Sequence, residues 1–267
     1  MKNFTPDLIS VIIPTFNSEK TIENCLKSIL TQTHKNFELI IVDGSSTDQT
    51  IQKIKMCVPN EIKIQQISEA DKGIYDAMNK GITKATGNWI MFLGSDDKIY
   101  QDDVFEQFIR ETKQNEQTDV FYGNVYSSRF NGLYDGPFTK EKLLNKNICH
   151  QAILFKRSVF NQIGNFDLKY KALSDWDHNL RWFFSKKITN KYMDIIVAEY
   201  ADGGFSSLNT DLKFFADKPF QFLRLGYATY SRGKKLLYLR TQIKAAIIEK
   251  DFKKAFKFLM QTPYIFY

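Results

Sequence analysis

Short apolar runs alternate with segments of helical periodicity through the first hundred residues, and this alternation constrains the fold more than any other feature. The runs at residues 8–14, 37–42, 62–67 and 89–93 are predicted strands. Apolar residues recur at helical spacing around residues 22–30, up to about residue 56, and over 74–85. Strands separated by helices at this spacing form βαβ units. We therefore predict an α/β fold with a mostly parallel sheet flanked by helices.

The second half of the chain is less regular. Predicted helices cover residues 102–115, 158–163 and 174–185, and predicted strands cover 120–126, 150–155 and 192–198. From about residue 212 the chain is predicted to be helical, and it is rich in aromatic and basic residues. No repeat or low-complexity linker marks a further boundary. We place one domain over residues 1–210 and a helical C-terminal extension over residues 211–267.

Composition places the chain among ordinary globular proteins. Its 267 residues, 43% hydrophobic and 25% charged, allow a sizeable core. The three cysteines form no CxxC motif, which argues against a disulfide framework or a zinc site. The first apolar run breaks at Pro14, and no stretch reaches the ~18 apolar residues of a membrane span, so we expect a cytoplasmic protein. The net charge of +7 leaves nucleic acid, an anionic membrane surface and phosphorylated ligands as candidate partners.

Polar side chains follow the four predicted strands at their carboxyl ends. The segments are residues 14–17 (PTFN), 43–48 (DGSSTD), 69–73 (EADKG) and 94–97 (GSDD). In a parallel sheet these ends meet at one edge, where ligands bind. The adjacent carboxylates Asp96 and Asp97 suit a divalent cation that also needs phosphate oxygens. The sequence GSDD is equally favourable for a simple turn. Neither a GxGxxG nor a GxxxxGK[ST] motif occurs, which argues against a Rossmann dinucleotide site and a P-loop.

A series of segments in order resembles a known enzyme family. They are residues 11–17 (VIIPTFN), 42–48 (VDGSSTD), 71–82 (DKGIYDAMNKGI), 92–97 (FLGSDD), 150–151 (HQ) and 174–181 (SDWDHNLR). Together they resemble the GT-A-fold glycosyltransferases of family 2, and the third segment is most similar to bacterial polysaccharide-assembly transferases. The resemblance covers about residues 8–207. It implies a GT-A-like, Rossmann-type domain that uses a nucleotide-diphosphate sugar, with a UDP-sugar as the first expected donor.

The resemblance also assigns donor-binding residues. It places the nucleoside against Thr15 and Asp43, and the nucleotide or its diphosphate against Asp71 and Lys72, the lysine acting as a point charge. One aspartate precedes the glycine of residues 42–48, where many relatives have two, so details of base recognition differ. Each of these side chains also fits a plain loop, a turn or a helix cap.

The metal and the catalytic base follow from the same resemblance. Asp96 and Asp97 match the family's metal-binding pair, with Asp97 as the direct ligand of Mg²⁺ or Mn²⁺ and Asp96 on ribose or a metal-bound water. Inverting transfer needs a base, which the resemblance places on Asp175. Ser174 precedes it where relatives have an acidic residue, and both residues also suit a helix start. Asp177 is the local alternative.

Three further residues are expected to touch the substrates. His150 and Gln151 are placed at the diphosphate, the metal or the acceptor, and Trp176 on an acceptor sugar. A packed, hydrogen-bonded histidine is the alternative for His150. Residues 203–206 (GGFS) form either a loop that closes over the diphosphate or a tight turn.

Basic and aromatic residues interleave between residues 224 and 258, with few acids among them. This pattern fits a helix on an anionic membrane surface, or a helical cap with a solvated basic face. No recognition motif accompanies the charge, which disfavours nucleic acid. The family's polysaccharide enzymes often act on lipid-linked acceptors at the cytosolic leaflet. We therefore expect a peripheral protein on the inner face of the cytoplasmic membrane.

The resemblance therefore implies an inverting, metal-dependent hexosyltransferase acting on a hydroxyl of a glycan acceptor. The acceptor is expected to be lipid-linked, in surface polysaccharide biosynthesis. Two other classes stay open. A sugar nucleotidyltransferase would need a glycine-rich, arginine-containing loop after the first strand, and a non-catalytic membrane-associated partner protein would show no transfer.

Overall fold

The computed structural model describes residues 7–127, 132–134, 136–201, 211–225 and 231–261. The chain forms two compact units, one of residues 1–138 with 148–210 and one of residues 139–147 with 211–267. The segment 139–147 therefore groups with the C-terminal helices. The domain boundary after residue 210 stays a prediction. The predicted loop at residues 203–206 lies outside the described residues.

A mixed, nine-stranded sheet runs through the described part of the first unit. Its strands are β1 (Ile9–Thr15), β2 (Phe37–Asp43), β3 (Ile64–Ser68), β4 (Trp89–Phe92), β5 (Lys98–Ile99), β6 (Val120–Ser127), β7 (Gly132–Tyr134), β8 (Ile153–Lys156) and β9 (Asn190–Glu199). They lie in the order β3-β2-β1-β4-β8-β6-β9-β5, and β7 pairs with β6.

Helices flank this sheet and form the second unit. In the first unit they are α1 (Ile22–Leu30), α2 (Thr50–Cys57), α3 (Ile74–Lys84), α4 (Val104–Gln114), α6 (Ser158–Ile163) and α7 (Ser174–Phe184). In the second unit they are α5 (Lys140–Asn145), α8 (Leu212–Leu225), α9 (Arg232–Ile248) and α10 (Phe252–Leu259). No helix within the described ranges combines the length and apolar composition that crossing a membrane requires.

The first four strands are parallel, as predicted, and they create a crevice at one edge. β1 pairs with β2 on one side and β4 on the other, and β2 pairs with β3. Every residue of β1, β2 and β4 is buried, as expected for central strands covered by helices on both faces. The chain leaves β1 toward β2 and β3, then crosses back to β4. Beside the carboxyl ends of β1 and β4 lies the switch point where such folds bind ligands.

The second half departs from the predicted pattern. β8 runs antiparallel to both β4 and β6. The strand predicted for residues 150–155 is wrong at its start, because His150–Ala152 form a 3₁₀ turn and the strand begins at Ile153. Three elements were not predicted, namely β5, β7 and α5. They span only two, three and six residues, too few for a periodic pattern.

A buried carboxylate ties the central strands to the turn before β4. Glu38 on β2 accepts hydrogen bonds from Ser10 Oγ at 2.7 Å, from the Thr86 N–H at 2.6 Å and from the Gly87 N–H at 3.2 Å. Lys63 Nζ forms an ion pair with it. Burial raises the pKa of Glu38, but the hydrogen bonds from Lys63, Ser10 and Thr86 outweigh burial and lower the pKa to about 2.

Replacing Glu38 by Gln should lower the free energy of unfolding by roughly 2 kcal/mol at pH 7. The folded-state pKa lies below the ordinary value of 4.5, so this contribution is complete above that pH and is lost as the pH falls toward 2. Urea unfolding followed by tryptophan fluorescence should show the difference shrinking by about half at pH 3. Glu23→Gln, which removes a partly exposed ion pair with Lys53, is the control and should change little. A difference that does not vary with pH would contradict the assignment.

The second unit is a small helical cluster. Leu223, Leu239 and Phe258 are buried at its centre, and the rings of Phe220 and Phe258 stack 4.3 Å apart. Side-chain caps begin its last two helices. Ser231 Oγ accepts from an N–H in the first turn of α9, and Asp251 Oδ1 does the same for α10.

Candidate active site

A cleft of about 590 Å³ opens beside the carboxyl ends of β1 and β4. It is lined by residues 14–21, Asp48, Asp71, Gly73, Ile74, Ala77 and residues 94–96. Its size is that of a small-molecule site. The structure therefore brings three of the predicted donor-site residues, Thr15, Asp71 and Asp96, to one cleft.

Hydrogen bonds between neighbouring loops hold the cleft walls. The Asn17 N–H donates to Ser46 Oγ at 2.8 Å, and Asn17 Oδ1 accepts from the Thr47 N–H at 2.9 Å. Ser18 Oγ and Ser95 Oγ lie 2.7 Å apart and join the loop after β1 to the loop after β4. Asn17 has a left-handed backbone, with φ of 46°, which few residues other than glycine adopt without support. Hydrogen bonds between loops therefore fix the shape of the cleft walls.

Asp43 ends β2 and is fully buried. Its Oδ2 accepts from the Ser46 N–H at 3.0 Å and from Ser68 Oγ at 2.6 Å, and its Oδ1 accepts from Ser46 Oγ. Asp43 is not among the residues that line the cleft. In the structure, Asp43 fixes the loops after β2 and β3. Its contact with a nucleoside stays a prediction.

Gly44 leaves room for Asp71 and Phe16. A Cβ at residue 44 would lie 2.8 Å from Asp71 Oδ2 and 3.4 Å from the Phe16 ring. A side chain at residue 44 would require the Asp71 carboxylate to move. Phe16 is 63% exposed and lines the cleft, although the sequence interpretation gave it no role. Its position in the loop between β1 and α1, at the carboxyl end of a strand, was the sequence feature that could have indicated a role in the site.

Lys72 lies at the start of the α3 region but not in the cleft lining. Its side chain is exposed, and its backbone N–H donates to Asp76 Oδ2 at 3.0 Å. Asp71 Oδ1 accepts from the Gly73 N–H at 2.8 Å, so the turn into α3 is locked by its own carboxylates. A contact of Lys72 with the diphosphate stays a prediction.

The carboxylates of Asp96 and Asp97 crowd the space above Gly94. A Cβ at residue 94 would lie 2.6 Å from Asp97 Oδ2 and 2.8 Å from Asp96 Oδ1. Gln151 Nε2 donates to Asp97 Oδ2 at 2.7 Å, and the Ala201 N–H donates to Oδ1 at 2.9 Å. Burial and then the charge of Asp96 raise the pKa of Asp97 to about 6, despite these two hydrogen bonds. A cation beside the pair would relieve this repulsion.

The donor set of this pair fits a hard divalent cation. Carboxylate oxygens suit Mg²⁺ and Mn²⁺, and glycine at residue 94 keeps the space beside them clear. Across the described part of the chain, no group of three or more His, Cys, Asp and Glu side chains is arranged to hold a metal. A cation here would therefore complete its coordination with water and ligand oxygens, as Mg²⁺ commonly does beside phosphates.

Asp175 lies near the start of α7 and is buried. Tyr75 Oη lies 2.8 Å from Asp175 Oδ1, and the Trp176 N–H donates to the same oxygen at 2.8 Å. His150 Nδ1 lies 3.4 Å from Asp175 Oδ2. No sequence feature indicated a role for Tyr75, because 100 positions separate it from Asp175 and only the fold brings them together. The Trp176 ring is largely buried, and its contact with an acceptor stays a prediction.

Asp177 is engaged by Arg181. Arg181 Nε donates to Asp177 Oδ2 at 2.9 Å, and Arg181 also donates to the carbonyl oxygens of Ile163 and Asn165. Burial raises the pKa of Asp177, and the Arg181 charge opposes it. Asp177 therefore anchors α7 to the segment that follows α6.

His150 lies between the two acidic centres. It contacts Asp175, and its charge would lower the pKa of Asp97. Its Nε2 is buried and has no hydrogen-bond partner within the described residues. His178 differs, because it is fully buried among phenylalanine rings and burial holds its pKa well below the ordinary value. His178 is therefore a packing residue of the core. His150 lies beside Asp175, and its contact with a substrate or the metal stays a prediction.

Residues 10–186 match the model of the family described as Glycosyl transferase family 2. The chain belongs to this family. It is 40% identical over 224 residues to PGL/p-HBAD biosynthesis glycosyltransferases of Mycobacterium bovis and Mycobacterium tuberculosis, across 82% of this chain and 86% of each relative. The predicted enzyme class, a nucleotide-sugar glycosyltransferase, is thereby confirmed. Family membership sets aside the nucleotidyltransferase and the non-catalytic partner.

Solved structures confirm the GT-A fold of this family 2 chain. Staphylococcus aureus TarS 1–349 in complex with UDP-GlcNAc superposes with a TM-score of 0.66 at 20% identity, over 80% of this chain and 66% of that one. The Pyrobaculum calidifontis mannosyltransferase PcManGT in complex with GDP-Man and Mn²⁺ gives 0.61 at 15% identity, over 98% and 86%. At these identities the likeness shows the fold alone.

Proposed function

We propose that this family 2 enzyme transfers a hexosyl group, with inversion and with a divalent cation, from a nucleotide-diphosphate sugar to a hydroxyl of a glycan. The donor is a UDP-sugar, and the acceptor is a lipid-linked glycan of surface polysaccharide biosynthesis. The observation that carries the proposal is the adjacent Asp96 and Asp97 pair, whose carboxylates both crowd against Gly94. Gly94 and Asp96 line the cleft of about 590 Å³, and Asp97 is buried beside them.

The nucleotide lies along the cleft in this proposal. Phe16 offers an exposed ring face to the base, and Thr15 and Asp71 offer oxygens to its N–H donors or to the ribose hydroxyls. Asp43 supports this wall through Ser46 and Ser68. The fold neighbours crystallised with UDP-GlcNAc and GDP-Man support a nucleotide sugar in this cleft.

Asp97 and Asp96 hold Mg²⁺ or Mn²⁺ in this proposal, and Gln151 with the Ala201 N–H fixes the orientation of Asp97. When bound, the cation neutralises charge that develops on the departing nucleoside diphosphate. PcManGT with Mn²⁺ and the glucosyl-3-phosphoglycerate synthase of M. tuberculosis with Mg²⁺ and UDP support this choice of ion.

Asp175 is the base in this proposal. It takes the proton of the acceptor hydroxyl while that oxygen bonds to the anomeric carbon and the diphosphate leaves from the opposite face. Tyr75 and the Trp176 N–H hold its carboxylate, and His150 Nδ1 lies 3.4 Å from its other oxygen. Asp177 is the weaker candidate, because Arg181 pairs with it at 2.9 Å.

A thermal-shift screen of UDP-, GDP-, CDP- and TDP-sugars, with and without Mn²⁺, tests the donor part of the proposal. A nucleotide sugar at about a hundred times its Kd should raise Tm by about 5 °C or more, and only with the metal. The matching nucleoside monophosphate with Mn²⁺ is the control and should shift Tm less, because it lacks the diphosphate. The absence of a shift with every nucleotide sugar plus Mn²⁺ would refute the proposal.

A further inference from the structure

Helix α10 of the second unit exposes a row of apolar side chains. Phe252 is 69% exposed, Phe256 62% and Leu259 52%. Their spacing of four and three residues places them on one face of the helix, here called the α10 stripe. Exposed side chains this large that line up on one helix face usually mark an interaction surface.

The α10 stripe is separate from the face that stabilises the helix. Ala255 and Phe258 are the buried residues of α10, and Phe258 stacks on Phe220 at the centre of the second unit. Helical geometry places Ala255 and Phe258 about a quarter turn from the stripe. The helix therefore docks on its own unit through other side chains, and the three stripe residues stay more than half exposed.

Positive charge borders the stripe on its far side. Lys253 and Lys257 are both exposed, and at 100° per residue they follow the stripe around the helix on the side away from Phe258. Neither forms an ion pair with any residue that the structure describes, whereas Lys254 pairs with Glu249 at 3.1 Å. The helix sequence FKKAFKFL contains no acid.

We propose that the α10 stripe docks on an anionic lipid bilayer. Phe252, Phe256 and Leu259 insert at the boundary between head groups and acyl chains, while Lys253 and Lys257 contact the lipid phosphates. A second copy of the chain fits this surface less well, because a two-fold contact through the stripe would bring the lysines of both copies together. The inference concerns the second unit and does not depend on the donor chemistry.

Sedimentation of the full chain with vesicles tests this inference. The protein should bind vesicles of 70% phosphatidylcholine and 30% phosphatidylglycerol, and bind pure phosphatidylcholine at least tenfold more weakly. Phe252→Ser with Phe256→Ser should weaken binding at least tenfold without any change in charge. Lys253→Gln with Lys257→Gln should also weaken it at least tenfold and reduce its dependence on salt.

Met56→Ser is the matched control, because Met56 is 75% exposed but lies on α2 of the first unit. This substitution should leave vesicle binding unchanged. Circular dichroism and melting curves establish that each variant is folded. Equal binding to both vesicle types, or stripe variants that bind like the wild type, would overturn the proposal. A second result would also overturn it: no binding to vesicles, together with light scattering that shows a dimer which the phenylalanine substitutions convert to a monomer. The assay contains no nucleotide sugar, so its failure leaves the proposed transfer reaction untouched.

Discussion

Replacing Asp175 by Asn should lower kcat of sugar transfer about a thousandfold while donor affinity changes less than twofold. Asparagine keeps the shape of the side chain and can still accept from Tyr75 and the Trp176 N–H. It cannot take a proton from the acceptor hydroxyl. The rate is measured as nucleoside diphosphate released from the donor that gives the largest thermal shift, and affinity by calorimetric titration with that donor and Mn²⁺.

Asp177→Asn is the control for this prediction. It removes the 2.9 Å ion pair with Arg181, so it should lower Tm but keep kcat within about threefold. Loss of transfer in the Asp177 variant, together with normal turnover in the Asp175 variant, would exchange the two roles. Normal turnover by both variants would exclude a base on the first turn of α7.

Replacing Asp97 by Asn should lower kcat/KM about a thousandfold and abolish the effect of Mn²⁺ on donor binding. Asp97 supplies negative charge beside Gly94 and Asp96, which line the cleft, and the Asp96 carboxylate also lies against Gly94. Titration of Mn²⁺ into the protein with and without UDP, followed by calorimetry, measures the loss. Unchanged Mn²⁺-dependent binding of UDP by this variant would contradict the metal assignment.

Gln151→Leu should give a smaller effect of the same kind. It removes the 2.7 Å hydrogen bond that holds Asp97 but leaves both carboxylates in place. Metal affinity should fall about ten- to a hundredfold, and saturating Mn²⁺ should restore most of kcat. A kcat that stays low at saturating metal would show that Gln151 acts on the substrates directly.

Most of the donor half of the fold could be predicted from the sequence. β1, β2 and β4 are mostly apolar, because both faces of a central parallel strand are covered. Their polar ends therefore fall at one edge whatever the details of the loops. Thr15 ends β1 and Asp96 follows β4, and the resemblance added Asp71 after β3, so all three could be expected at a shared site.

The second half could not be predicted in the same way. The antiparallel direction of β8 depends on pairing with β4 and β6, which no local pattern records. His150 and Gln151 precede an apolar strand, and nothing in their neighbourhood distinguishes a 3₁₀ turn from one more strand residue. The turn matters, because it carries the Gln151 side chain to Asp97, 54 positions earlier in the chain.

Residue type and position in the sequence also did not determine the role of each carboxylate. Asp43, Asp175 and Asp177 all stand where a turn or a helix begins, so each suited both a cap and a functional role. Their hydrogen-bond and ion-pair partners in the folded chain distinguish the three carboxylates. Ser68 engages Asp43 and Tyr75 engages Asp175, whereas Asp177 pairs with Arg181 one helical turn away.

The most direct measurement is the position of Mn²⁺ in crystals grown with UDP, located by anomalous scattering at the manganese edge. We expect one peak in contact with the Asp97 carboxylate and the UDP phosphates, with the uracil ring against Phe16. UDP bound elsewhere, or UDP in the cleft with manganese away from Asp96 and Asp97, would contradict the proposed donor site.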